Sequence, residues 1–309
     1  MRKAAFLAVL VILSLSFGPV SPAFGGDAAM KPEELVAKHL DSIGTAEVRA
    51  AAKTRTVQGA ASFRILVGGS GKTEGTTGMV SEGNKVRLIM RFPQRDYRGE
   101  NFLFNGDALQ LSFANSNQSR SPLSGFLSSE DVILRDGLLG GALSTAWPLL
   151  NLEDRKAKLV YEGLKKVDGH QVHVVRYQPK KTYEAQIRLY FDAETFRHVK
   201  TVYTVSLANN LGTDTPSTPN PQPDRMTTSS GNSVGGDITQ SAKLQPQRST
   251  LEERFSDFKT VDGLNLPTHW NIQFTRELPN GSTTVTEWDL HEDQITNNQG
   301  LDPRNFEVK

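Results

Sequence analysis

Residues 251–275 read LEERFSDFKTVDGLNLPTHWNIQFT, and this stretch decides the fold class of the chain. Two strand-like runs flank Asp262-Gly263, a dipeptide suited to the tight turn of a β-hairpin. Asn280-Gly281 is a second turn signal of the same kind, and it leads into a third strand-like run at 282–291. Successive hairpins predict antiparallel strands.

The same signals recur towards the N-terminus. Further strands are predicted within 56–67, 85–92, 102–104, 109–113, 159–164, 171–177, 187–192 and 198–206. Helical spacing occurs at 32–52, whereas the apolar segment 130–152 is broken by three glycines and Pro148 into short helical turns. We therefore expect a mainly β (α+β) fold of about ten strands in hairpin order, with short helices that cover a curved sheet.

The N-terminus predicts export. Arg2 and Lys3 precede an apolar run at 4–17, and small residues follow at Ala23 and Gly25, so residues 1–25 are predicted to be a cleavable secretory signal peptide. No later segment is apolar enough for a stable membrane span. The chain has no Cys, so it is expected to carry neither a disulfide nor a lipid anchor at the cleavage site. These features favour the bacterial periplasm.

The mature chain, 26–309, is expected to be a single domain. Residues 209–247 are rich in Pro, Ser, Thr, Asn and Gly, and they predict a disordered loop inserted between neighbouring strands. Thirty-five Lys and Arg residues stand against 34 Asp and Glu residues. A nearly neutral chain without a basic stripe gives no indication of nucleic-acid binding.

Sequence patterns of catalysis are missing, and we expect no catalytic residue, cofactor or metal. His170 and His173 are three apart on a predicted strand and would face opposite sides. The glycine-rich run 68–73 lacks the full phosphate-loop pattern and predicts a turn. The pairs Glu130-Asp131 and Glu252-Glu253 are interpreted as a helix start and a solvated strand end.

A surplus of large apolar side chains predicts a cavity for an apolar ligand. The strands are expected to contribute Leu88, Met90, Phe102, Phe104, Leu111, Phe113, Leu189, Phe191, Trp270, Ile272 and Phe274 on one concave face. The broken segment is expected to cover that face with Leu134, Leu138, Leu139 and Trp147. The alternative for these residues is an ordinary packed core.

The order of elements resembles the periplasmic lipoprotein-carrier superfamily, the LolA/LolB-like fold that includes outer-membrane lipoprotein-sorting proteins. The resemblance is carried by residues 34–40, 78–80, 85–87, 167–169, 189–192, 255–267 and 305–308. It implies an incomplete antiparallel β-barrel with short helices across its open mouth. It also implies a non-catalytic carrier that holds an acyl chain of a lipoprotein or lipid and exchanges it with an inner- or outer-membrane transfer protein. Arg87, Arg91 and Arg135 are candidates for a basic residue that holds the cover closed.

Two other functions stay open at this stage. The concave face of the sheet could bind another protein, as in envelope sensing or scaffolding. The chain could also be an exported hydrolase whose site is assembled from scattered residues, such as a histidine paired with a serine in a deep polar cleft.

Overall fold

The computed structural model describes residues 30–112, 120–207 and 247–308. The predicted signal peptide, nearly all of the predicted 209–247 loop and Phe113 lie outside these described residues. Within the described part of the chain, no helix is both long enough and apolar enough to cross a membrane.

The described residues form one antiparallel sheet. Its strands are β1 (Thr54–Val67), β2 (Lys72–Glu82), β3 (Lys85–Arg91), β4 (Gly99–Phe104), β5 (Leu109–Ser112), β6 (Lys158–Val167), β7 (His170–Gln178), β8 (Gln186–Asp192), β9 (His198–Leu207), β10 (Gln247–Val261), β11 (Leu264–Glu277) and β12 (Thr283–Asn297). Their order across the sheet is β5-β4-β3-β2-β1-β12-β11-β10-β9-β8-β7-β6. Neighbouring strands are joined mostly by hairpins, and β1 pairs with β12 to connect the two halves.

The sheet is not closed, because β5 and β6 lie at its two opposite edges. These strands are consecutive in the sequence, so the chain between them has to pass from one edge to the other. The predicted fold class, a mainly β incomplete barrel with short helices, is confirmed. The number of described strands is twelve rather than about ten.

Two helices precede the sheet, where the sequence predicted helical structure. α1 (Pro32–Ile43) has Pro32 in its first turn beside Glu33 and Glu34, as its dipole favours. Thr45 caps α2 (Ala46–Ala51) by accepting a hydrogen bond from the Val48 N–H. The buried side of α1 contains His39, a polar residue that matters for the site.

Residues 120–157, which we call the cover, pack across one face of the sheet. The cover contains α3 (Pro122–Ser129), α4 (Val132–Arg135), α5 (Leu152–Arg155) and two 3-10 turns, Gly141–Leu143 and Pro148–Asn151. It contacts β4 and β5 at one edge, β11 in the middle and α1 at the far side. We call the covered face of the sheet its inner face and the opposite one its outer face.

Candidate functional site

The structure brings the predicted cavity residues together on the inner face. Thirteen of the fourteen that the structure describes are at most 3 % exposed, and Leu111 is half-buried against them. The four cover residues, Leu134, Leu138, Leu139 and Trp147, belong to the same apolar cluster as the strand residues. A ligand-binding role for these fifteen residues stays a prediction.

In this conformation the cover itself fills the inner face. A small cavity of about 10 Å³ lies beside His39, Ala142, His198 and Phe255, which is no more than the space of one water. Cavities of about 540 and 520 Å³ open instead on the outer face. The described arrangement is therefore closed, with cover side chains packed against the inner face.

Trp147 fixes the cover to the helix and the sheet beneath it. Its Nε1 donates a hydrogen bond to His39 Nε2 at 3.1 Å, and its ring stacks on His198 with centroids 4.6 Å apart. His39 Nδ1 donates in turn to the Phe196 carbonyl at 3.1 Å. Because burial lowers the pKa of His39 to about 4, this imidazole is neutral near pH 7 and can accept from the indole.

Arg55 of β1 contacts the cover from the inner face of the sheet. This side chain is 4 % exposed, and its guanidinium donates to the Ala142 carbonyl at 2.6 Å and to Asn297 Oδ1 at 2.8 Å. Burial lowers the pKa of Arg55 to about 10, which leaves it cationic at neutral pH. A charged hydrogen bond to the backbone of the cover is stronger than a neutral one.

Arg55 was not among the basic residues that the sequence singled out. Arg87 donates to Asn101 and to the Asn305 carbonyl, and with Arg91 it lines the 540 Å³ outer-face cavity. Arg135 lies in the cover and donates to the Asp107 carbonyl at 2.8 Å. The sequence feature that could have identified Arg55 is its position two residues before Val57. This spacing places a charged side chain on the apolar side of a strand.

Glu253 of β10 also holds the cover, and the interpretation of Glu252-Glu253 as a solvated strand end was wrong for it. Glu253 is fully buried; its Oε1 accepts from the Gly140 N–H at 2.8 Å and its Oε2 from the Tyr203 hydroxyl at 2.7 Å. Burial raises the pKa of Glu253 to about 7. Its proton is therefore lost within the physiological range.

Two more buried carboxyl groups join the cover to the strands. Glu100 of β4 accepts from Ser124 Oγ of α3 at 2.9 Å, and burial raises its pKa to about 7. Glu130, expected at an ordinary helix start, is buried and accepts from the Ala185 N–H at 3.1 Å. Polar contacts thus join the apolar cover to α1, to the sheet and to the loop before β8.

Other polar candidates lie elsewhere. His170 is exposed and His173 is buried on β7, as the strand interpretation predicted. A Ser256–His269 pair with a 3.0 Å Oγ–Nδ1 distance exists, but Ser256 is exposed on the outer face rather than enclosed in a deep cleft. Sequence analysis did not connect these two residues, which lie 13 positions apart.

Comparison with known proteins gives likenesses of structure. No family model matches the sequence, and no curated protein matches it. A LolA superfamily protein from Nitrosomonas europaea is similar, with 14 % identity over 91 % of this chain and 99 % of that chain and a TM-score of 0.44. An outer-membrane lipoprotein-sorting protein domain from Vibrio parahaemolyticus has 13 % identity over 88 % and 97 % of the two chains and a TM-score of 0.43.

A third solved structure, a DUF1329 family protein from Desulfovibrio piger, has 13 % identity over 89 % of this chain and 96 % of that chain, with a TM-score of 0.37. The first two structures come from the superfamily that the hairpin motifs resemble. The likeness concerns fold alone.

Proposed function

We propose that the chain is a non-catalytic carrier or binding protein of the periplasm that shelters an acyl chain of a lipoprotein or lipid on the inner face of its open sheet. One observation carries the proposal. The apolar inner face is filled by a single segment of the same chain, the cover, which a small set of polar contacts holds in place. Movement of this segment exposes a continuous apolar surface.

The energies of cover and ligand are of similar size. Burying a side chain such as Leu or Trp contributes roughly 1.5–3 kcal/mol, so six cover residues contribute roughly 9–18 kcal/mol. These six are Leu127, Leu134, Leu138, Leu139, Leu143 and Trp147. An acyl chain of about 14 methylenes at about 0.8 kcal/mol each gains roughly 11 kcal/mol. Exchange of cover for acyl chain is therefore close to balance, as reversible loading requires.

The polar contacts of the cover are compatible with the same exchange. When the cover moves away, Arg55 and Glu253 lose their backbone partners at Ala142 and Gly140. Arg55 keeps its bond to Asn297 and Glu253 keeps its bond from the Tyr203 hydroxyl, so opening leaves neither group without a partner in the sheet. The closed state is specified by these bonds without being made irreversible.

The periplasmic location and a membrane-side transfer protein as partner rest on the sequence, through the predicted signal peptide and the resemblance of its motifs. The first test is native mass spectrometry with lipid extraction on the protein purified from a bacterial envelope. Stoichiometric acyl lipid supports the proposal. A ligand-free mass after incubation with envelope lipids contradicts it, and a co-purifying protein without lipid favours the protein-binding alternative.

A second test separates the inner face from general effects of charge. Leu139→Asp places a carboxylate in the buried cover, whereas Leu164→Asp places one at a position that is already 52 % exposed. Binding of a fluorescent fatty acid is expected to strengthen in the first variant, because the closed cover that competes with the acyl chain is destabilised, and to stay unchanged in the second. Circular dichroism checks that the sheet is intact in each variant. Equal binding by the two variants would refute the cover assignment.

A further inference from the structure

Three side chains with metal-binding chemistry meet on the outer face, away from the cover. The register pairs His269 of β11 directly with His291 of β12. Asp289 lies two residues before His291 and therefore on the same side of the strand. One donor atom from each residue lies within 4.8 Å of the others.

Hydrogen bonds fix the ring of His269 at both nitrogens. Its Nε2 is 2.6 Å from Asp289 Oδ1, and its Nδ1 is 3.0 Å from Ser256 Oγ and 3.8 Å from Asp257 Oδ2. In metal sites a ligating histidine characteristically has its remote N–H held by a carboxylate, carbonyl or water. In the described arrangement the Nε2–H of His269 donates to Asp289 Oδ1. In the other tautomer the Nδ1–H donates to Ser256 Oγ, and the Nε2 lone pair becomes available to a metal ion beside Asp289.

The other two groups are oriented towards the same point. Asp289 Oδ1 accepts from Asn271 Nδ2 at 3.1 Å, and Asp289 Oδ2 is 3.3 Å from His291 Nε2. The imidazole rings of His269 and His291 stack with centroids 4.4 Å apart and an angle of 6° between their planes. Both Nε2 atoms thus face one carboxylate, and β11 and β12 hold all three residues in register.

We propose that His269, Asp289 and His291 bind a divalent transition-metal ion of the zinc class, with water as the fourth ligand. Two imidazoles and a carboxylate suit zinc better than the hard ions calcium and magnesium. Metal–ligand bonds of about 2.0 Å place tetrahedral ligand atoms about 3.3 Å apart. The distance between His269 Nε2 and Asp289 Oδ1 has to widen from 2.6 Å, and the 56 % exposed side chain of His291 is free to adjust.

The site is independent of acyl-chain binding because it lies on the opposite face of the sheet. It is tested by calorimetric titration of Zn²⁺ into the chain purified without a histidine tag and treated with a chelator. One equivalent is expected to bind. His291→Ala and Asp289→Asn are each expected to lower the affinity at least tenfold. Asn271→Ala, which removes only an orienting group, is expected to lower it by roughly 10-fold as well.

His170→Ala is the matched control, since His170 is an exposed histidine that lines the same outer-face cavity as His269. This variant is expected to bind zinc as the parent does. Co²⁺ offers a second readout, because its visible absorption bands report tetrahedral coordination and should disappear in His291→Ala. A parent that takes up no zinc, or zinc binding that survives both ligand substitutions, would overturn the proposal.

Discussion

Replacing Glu253 by Gln should remove a defined part of the pH dependence of stability. A carboxyl group whose pKa is raised by folding keeps its proton where the unfolded chain has lost it. Its contribution to stability is therefore complete below about pH 4.5 and is lost as the pH rises through about 7. Glu253, fully buried beneath Gly140 of the cover, has its pKa raised by burial from 4.5 to about 7.

The difference of about 2.5 pH units, at about 1.36 kcal/mol per unit, corresponds to roughly 3 kcal/mol of unfolding free energy. Gln cannot ionise, and its amide oxygen can still accept from the Gly140 N–H. Compared with the parent, Glu253→Gln should therefore gain roughly 3 kcal/mol of relative stability between pH 4 and pH 8.

Urea unfolding of the parent, Glu253→Gln and Glu277→Gln at several pH values measures this change. Glu277 is an exposed carboxylate at the end of β11, so its variant should follow the parent. Glu100 and His39 titrate in all three proteins, and their effects cancel in the differences. Parallel stability curves for the parent and Glu253→Gln would show that this carboxyl group is already hydrated in the folded state, and the reasoning would fail.

Three further outcomes are expected. Arg55→Leu removes charged hydrogen bonds that contribute about 1.5–3 kcal/mol each, so backbone amides of the cover should exchange with deuterium roughly 10- to 150-fold faster. Arg64→Leu, an outward-facing control on the same strand, should not change this exchange rate. Equal exchange rates in both variants would count against the Arg55 contact. Burial lowers the pKa of His39 to about 4 in the folded chain, so the stability that this residue contributes above about pH 6.5 is lost as the pH drops towards 4. In thermal unfolding, His39→Gln should therefore reduce the loss of stability over this acidic range. Gly75→Ala should destabilise the chain by more than about 1 kcal/mol in urea, because a Cβ at Gly75 would lie 1.9 Å from the Arg91 carbonyl oxygen; an unchanged midpoint would mean that β3 can move away.

Much of the fold was predictable because hairpin signals are local. Asp262-Gly263 joins β10 and β11 where the sequence placed a turn, and alternation identified which residues face the apolar side. β2 was harder, since its Gly- and Thr-rich sequence shows little apolar alternation. Gly75 is accounted for only by the close approach of the β3 backbone.

The site was predictable in its apolar part and not in its polar part. Large apolar residues such as Trp270 and Leu139 are most stable when buried, so composition and hydrophobic period suffice to assign them to the interior. Arg55 and Glu253 become meaningful only with partners at Ala142 and Gly140, which are 87 and 113 positions away in the chain. No local pattern encodes such a pairing.

The sequence by itself determined that this chain forms antiparallel hairpins with one apolar face, because turn chemistry and a period of two act between near neighbours. Tertiary structure alone decided that β5 and β6 become opposite edges, so that the cover has to lie across the inner face. It also decided that His269 meets His291 on the outer face, since the register of β11 against β12 sets that contact. Register and the path of a connection depend on the packing of the whole sheet, and this is the physical reason that they cannot be read from any one segment.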